Sequence, residues 1–171
     1  MKTAAKQLEA AGADFILIAT NTMHLMFDAV MESISIPVLH IADATASEIK
    51  KKSITTVGLL GTIFTMDMGF YKERLSEKHG ISVITPNLED KEVINDIIYR
   101  ELVVGKIEKK SQLKFIRIME DLVEKGAGGI VLGCTEIPLL IGSEDICVPV
   151  FDTTSIHATA AVEIALDERT F

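Results

Sequence analysis

Gly126-Ala127-Gly128-Gly129-Ile130-Val131-Leu132-Gly133-Cys134-Thr135-Glu136 is the stretch on which the fold turns. Gly129–Leu132 is short, apolar and β-branched, with turn residues on both sides, and reads as a strand. Gln112–Lys125 ahead of it has a helical pattern, and Gly126 stands where a helix C′ glycine belongs. Gly12 and Gly80 stand in the same relation to helical stretches Thr3–Ala11 and Met66–Lys78 and to strands at Asp14–Ala19 and Ile81–Ile84. Further strands are expected at Pro37–His40, Thr56–Leu60 and Val148–Phe151. Further helices are expected at Leu25–Ser33, Ala44–Lys51, Lys91–Val104 and Ser155–Leu166. Several strands lack clean polar alternation, as strands do when helices cover both faces. Strand alternating with helix therefore points to an α/β architecture built on parallel sheets.

The totals agree. A chain of 171 residues suits one α/β domain or two small ones, and 48% hydrophobic against 25% charged residues supplies a core and excludes bulk disorder. A net charge of −8 argues against nucleic acid and against an anionic membrane surface as partners. No apolar run approaches the roughly 18 residues of a membrane span, and Met1-Lys2-Thr3-Ala4-Ala5-Lys6 lacks an apolar leader region. Two cysteines cannot build a disulfide framework or a four-cysteine zinc site. These totals describe a cytoplasmic globular protein. No Gly-rich phosphate loop or dinucleotide turn is present, so no cofactor is expected.

Ligands of α/β sheets bind outside the carboxyl ends of the strands. The segments that follow four strands are Thr20-Asn21-Thr22-Met23-His24, Gly61-Thr62 with Thr65, Gly133-Cys134-Thr135-Glu136, and Asp152-Thr153-Thr154-Ser155 with His157. Together they suit a small, polar, anionic molecule. Each hydroxyl, amide or carboxylate could instead be a helix cap, Thr65 and Asp152 above all. His40 and His79 look incidental, and Lys50-Lys51-Lys52 reads as a solvated helix end. Cys147 reads as an inert buried residue. Cys134 lies at a strand-to-helix turn, where backbone N–H groups can draw a thiol pKa from about 8.5 toward neutrality.

Thr20-Asn21-Thr22-Met23-His24 and Gly133-Cys134-Thr135-Glu136-Ile137-Pro138-Leu139-Leu140 together resemble the aspartate/glutamate racemase family. His40–Thr45, Leu59–Thr62, Thr65-Met66 with Tyr71, and Phe151–Thr153 with Ile156–Ala158 resemble it in the same order. The resemblance implies two pseudo-symmetric flavodoxin-like α/β domains with a cleft between them, and amino-acid racemisation without a cofactor. One cysteine takes the α-proton on one face and a second returns it on the other, while hydrogen-bond donors stabilise the developing charge. Cys134 matches the second cysteine. Asn21, Thr22, Thr62 and Thr135 match donors around the substrate, and His157 matches a histidine beside the opposite cysteine. Lys106 is placed near a side-chain carboxylate. Aspartate or glutamate is the substrate class implied, and because relatives often form dimers, a homodimer is an expectation.

Two departures carry expectations of their own. Thr20 stands where the first cysteine belongs, and a hydroxyl is too weak an acid to serve as a standing base, so the two reaction directions should be unequal. The chain also opens inside a helical pattern, which leaves the first domain incomplete. Residues 1–44 and 148–171 would then be its remnant, and 45–147 a complete second domain. Alternative readings are a ligand-binding remnant without catalysis, or a maleate-isomerase-like or decarboxylase-like enzyme in which Cys134 works on one face only.

Overall fold

A computed structural model describes residues 1–166. Its elements begin with α1 (Lys2–Ala10), β1 (Ile16–Leu17), a 3₁₀ segment (Thr22–Met26) running into α2 (Phe27–Met31), β2 (Val38–Leu39) and α3 (Ile41–Lys51). Next come β3 (Thr56–Gly61), α4 (Ile63–Asp67), α5 (Gly69–Glu73) with a π-helical turn at Arg74–Lys78, β4 (Ser82–Ile84) and α6 (Leu88–Arg100). A 3₁₀ turn (Leu102–Val104), α7 (Lys109–Glu124), β5 (Ile130–Gly133), β6 (Val150–Asp152) and α8 (Thr153–Ala165) complete the chain. All six expected strands are present. The glycines expected to end helices do so in left-handed backbone, with φ of +89° at Gly12, +69° at Gly80 and +99° at Gly126.

Every strand pair is parallel. β1 and β2 form a two-stranded sheet, and the other four form a sheet of order β4-β3-β5-β6. Within the larger sheet the residues alternate between two cores, as a pleated strand requires. Leu60, Ile130 and Leu132 face α6 and α7, whereas Val57, Leu59 and Val131 face α3, Tyr71 and Leu75. α7 presents Phe115, Ile118, Met119 and Leu122, the i, i+3, i+4, i+7 face of an amphipathic helix. Gly58 lets it settle closely: a Cβ there would lie 2.9 Å from both Leu122 Cδ1 and Ile130 Cδ1.

Three details differ from expectation. The stretch Met66–Lys78, expected as one helix, is broken at Met68, whose backbone is extended (ψ 136°), into the end of α4, α5 and the π-helical turn. α4 starts at Ile63, because Thr62 is its cap and accepts from the Thr65 N–H at 3.4 Å; Thr65 lies inside α4, fully buried. Cys147 is exposed rather than buried, since the short turn that carries it lies between strands. Sheet membership also divides the chain differently from the boundaries drawn on the sequence. β6 is hydrogen-bonded to β5 of the larger sheet, while α8 after it packs Ala160, Ala161 and Ile164 against Leu39 and Ala44. Residues 167–171 of the expected 148–171 segment lie outside the described residues.

Candidate active site

The carboxyl ends of β3 and β5 lie side by side, with Gly61 in register with Gly133. Only glycine fits at either place. A Cβ on Gly133 would stand 2.8 Å from the Leu60 carbonyl oxygen, and one on Gly61 2.9 Å from that of Gly133. Beyond these glycines the chain turns outward and leaves a cavity of about 200 Å³. Thr20, Asn21 and Thr22 line it from the segment after β1, Thr62 from the start of α4, and Cys134, Thr135 and Glu136 from the turn after β5. Ile98, Tyr99 and Val103 complete the wall. The volume is below the roughly 300–1,000 Å³ of typical ligand pockets, a scale suited to an amino acid.

Each polar wall has its own support. Thr22, Thr62 and Thr65 form a triangle of hydroxyls 3.3–3.4 Å apart. Asn21 is buried, and its amide donates to Thr153 Oγ1 at 3.0 Å, whose hydroxyl in turn donates to the Leu132 carbonyl at 2.8 Å. That chain fastens the segment after β1 to the end of β5. Among the described residues Asn21 Oδ1 has no hydrogen-bond partner, although buried acceptors are nearly always satisfied. A ligand N–H is the natural complement. Thr20 is positioned from behind by His24, whose Nδ1–H donates to the Thr20 carbonyl at 2.8 Å while its Nε2 accepts from the Ile41 N–H at 3.1 Å. Burial keeps this imidazole neutral, lowering its pKa to about 4.

The lowering that a strand-to-helix turn can give a thiol is opposed at Cys134. Burial, and then the hydrogen bond to Glu136, push its pKa up to about 12. Its Sγ donates to Glu136 Oε2 at 2.9 Å, and the Thr135 hydroxyl donates to the same oxygen at 2.7 Å. Burial works to raise the Glu136 carboxyl, but those two donors outweigh it and hold the group below its usual range. The physical reason is direct: an ionised carboxylate beside a thiol penalises a second negative charge. Burial and the carboxylate both favour the protonated thiol.

Six sequence-derived residues thus meet at one cavity: Thr20, Asn21, Thr22, Thr62, Cys134 and Thr135. His157 and Lys106 are not in its wall. His157 is buried elsewhere and donates from Nε2 to the Leu39 carbonyl at 3.1 Å, and Lys106 is exposed after the 3₁₀ turn. Glu136, Tyr99, Ile98 and Val103 are additions. Glu136 stood in the motif already quoted, but nothing in the periodicity of α6 marks Tyr99, an exposed aromatic, as a cavity residue.

Parallel strands ending on a cavity of hydroxyls, an amide and a single thiol make this an α/β protein with a small polar cavity at the carboxyl ends of its strands. The chain belongs to the Asp/Glu/hydantoin racemase family, which residues 1–161 match. It is 51% identical to a protein provisionally assigned as an Asp/Glu racemase from Yersinia pestis, covering 96% of this chain and 72% of that one at a TM-score of 0.93. It is 43% identical to an aspartate racemase homologue from Pyrococcus horikoshii, with coverage of 96% and 72% and a TM-score of 0.88. Among curated relatives, the broad specificity amino-acid racemase RacX of Bacillus subtilis is 25% identical over 95% of this chain and 69% of its own length. The chain spans about half, 51%, of a matching glutamate racemase from Persephonella marina.

Proposed function

We propose that this protein is a cofactor-independent amino-acid racemase of the aspartate/glutamate type, with Cys134 as one acid/base group and Thr20 facing the other side of Cα. The observation that carries the reading is the meeting of Thr20, Asn21, Thr22, Thr62, Cys134 and Thr135 in one amino-acid-sized cavity. In this reading the unpartnered Asn21 Oδ1 accepts from the substrate ammonium. The threonine hydroxyls donate to its carboxylate, strengthening as charge moves onto it in the transition state. The Cys134 thiol returns a proton to the carbanion. To act as base it must first pass its proton to Glu136 Oε2, 2.9 Å away, against the low affinity of that carboxylate for protons. Thr20 is weaker still, so the two directions run at unequal rates. A cytoplasmic setting belongs to the same reading, because Cys134 must stay a free thiol; so does a homodimer, and a clean monomer in light scattering would count against that part.

A second reading is favoured by one observation, that a single thiol lines the cavity and its Sγ is hydrogen-bonded to the Glu136 carboxylate at 2.9 Å. An enzyme that only delivers a proton to one face, in a decarboxylation or a cis–trans isomerisation of a diacid, needs no second base.

The test is exchange of the α-hydrogen in D2O, followed by NMR, for the L- and D-enantiomers of aspartate and glutamate separately. Exchange is expected, faster for one enantiomer, and Cys134→Ala should slow it by about 10²–10⁴-fold, the size of a general acid/base contribution. Thr20→Cys should speed the slow direction. Folded protein that exchanges none of the four overturns the racemase reading, and release of carbon dioxide or diacid isomerisation would then establish the second.

A further inference from the structure

A second cleft, of about 600 Å³, opens between α2, α3 and the π-helical turn after α5, and shares no lining residue with the Cys134 cavity. Its wall is organised around Asp43. Arg74 grips both carboxylate oxygens from Nε and Nη2 at 2.7 Å, and Lys78 Nζ and His79 Nε2 stand at 2.7 Å as well. Burial would raise the Asp43 carboxyl, but Arg74, His79 and Lys78 hold it well below the usual carboxylate range. Lys50 Nζ reaches the other ring nitrogen of His79 at 3.5 Å.

With four donors on two oxygens, the acceptor capacity of Asp43 is used up. Leaving His79 aside, Lys50, Arg74 and Lys78 set three cations against one carboxylate. Two positive charges are therefore concentrated in one concave place on a protein that carries −8 overall. Lys50 and Lys78 are exposed at the rim with donors to spare. Arg74 cannot swing away, since it is forked onto Asp43 and its guanidinium lies over the Phe27 ring at 4.7 Å. Phe27, Met31, Val38, Leu39 and Ile164 make most of the remaining wall apolar, with His40 and Ser47 as its polar members. An anchored arginine flanked by two exposed lysines above a mostly apolar floor is the pattern of a pocket with a few converging polar groups. It is not the pattern of a solvated helix end.

We propose that this cleft binds a small organic dianion with an apolar body, the chemistry of a phosphomonoester. The anionic head lies between Lys50, Lys78 and the free face of the Arg74 guanidinium, and the body lies against Phe27 and Leu39. The inference stands apart from the racemase reading, since it uses none of those residues and its readout is binding.

The experiment is titration of the full chain with phenyl phosphate, followed by calorimetry and by ¹H–¹⁵N NMR, with benzoate and inorganic phosphate in parallel. Phenyl phosphate is expected to saturate with a Kd below about 1 mM and to shift amides of Phe27, Ser47 and Lys78. Benzoate lacks the second charge and inorganic phosphate lacks the body, so each should bind more weakly. The double variant Lys50→Gln/Lys78→Gln, on two exposed side chains, should weaken phenyl phosphate about tenfold, as the loss of two rim charges implies, with the thermal melt unchanged. The proposal is overturned by no saturable binding or by an unaffected double variant. Shifts confined to Thr62 and Cys134, or inorganic phosphate binding as tightly as phenyl phosphate (an adventitious ion only), would overturn it equally.

Discussion

The two sheets of this chain are built from the same kind of short apolar parallel strand, yet they are held by different forces. In the four-stranded sheet Val57, Leu59, Leu60, Ile130 and Val131 are completely buried between two layers of helix. In the two-stranded sheet Leu17 remains 39% exposed, and a smaller cluster around Ala5, Ile16, Ile18, Val30 and Val38 does the packing. What supplements it is polar. His24, His40 and His157 lie together, with His24 4.4 Å from His40 and 5.8 Å from His157 between ring centroids. Each is tied to backbone: His24 to Thr20 and Ile41, His40 to the Ala42 N–H at the start of α3, and His157 to the Leu39 carbonyl. The larger sheet rests on buried area, which is insensitive to pH. The smaller one rests in part on imidazoles that must stay neutral, and it is the one that carries Thr20.

Core truncation is the most forceful way to break this comparison. Phe115→Ala, in the fully covered core, should cost about 4 kcal/mol, and Ile16→Ala, in the thinner cluster, about 2 kcal/mol. Urea unfolding measures both, and equal costs would show that the two regions pack alike. Acid comes next. An unfolded histidine titrates near pH 6.5, whereas burial holds His24 neutral down to about 4 and His40 down to about 2. Below pH 6.5 the unfolded chain therefore takes up protons that the folded chain refuses, and stability falls with falling pH. Two such groups amount to roughly 4 kcal/mol by pH 5, at about 1.4 kcal/mol per pH unit each over the roughly 1.5 units below pH 6.5. The Asp43 carboxyl, held low, adds a loss only below its unfolded value near pH 4. Hydrogen exchange at pH 5 should show Leu17 and Leu39 opening before Leu59 and Leu60; a stability flat from pH 7 to 5 would remove the histidines from the account. The smallest effect sharpens the contrast at the site, where the larger sheet contributes Cys134. Glu136→Gln removes the charge that helps hold the thiol up, so iodoacetamide should alkylate Cys134 several-fold faster at pH 8. The exposed Cys147 is the internal standard.

Much of this was legible along the chain because it depends on neighbours in sequence. The β-branched run Ile130-Val131-Leu132 and the glycines at 12, 80 and 126 need only local sterics to declare themselves. So does the placing of Asp152, which caps α8 by accepting from the Thr154 and Ser155 N–H groups. Thr62 was harder: Thr62-Ile63-Phe64-Thr65 offers two threonines as caps, and the choice was made by the Thr65 methyl and hydroxyl packing against Gly61, Gly133 and Thr22. The candidate site divides the same way. The motif residues Thr20–Thr22 and Cys134–Thr135 follow strand ends, so knowing the strands located them.

By itself, then, the sequence determined an α/β chain with parallel strands, the ends at which polar groups collect, and the racemase family to which it belongs, because periodicity, turn chemistry and short motifs are local properties. Only the tertiary structure decided that the proton affinity of Cys134 is raised rather than lowered, since it is set by burial and by the direction in which Glu136 points. Only the tertiary structure brought Tyr99 to the cavity, left His157 and Lys106 out of it, and gathered Lys50, Asp43, Arg74 and Lys78 from two separate segments into one cleft. Desolvation and Coulomb interaction act through space, and the distances that govern them exist only once the chain has closed on itself.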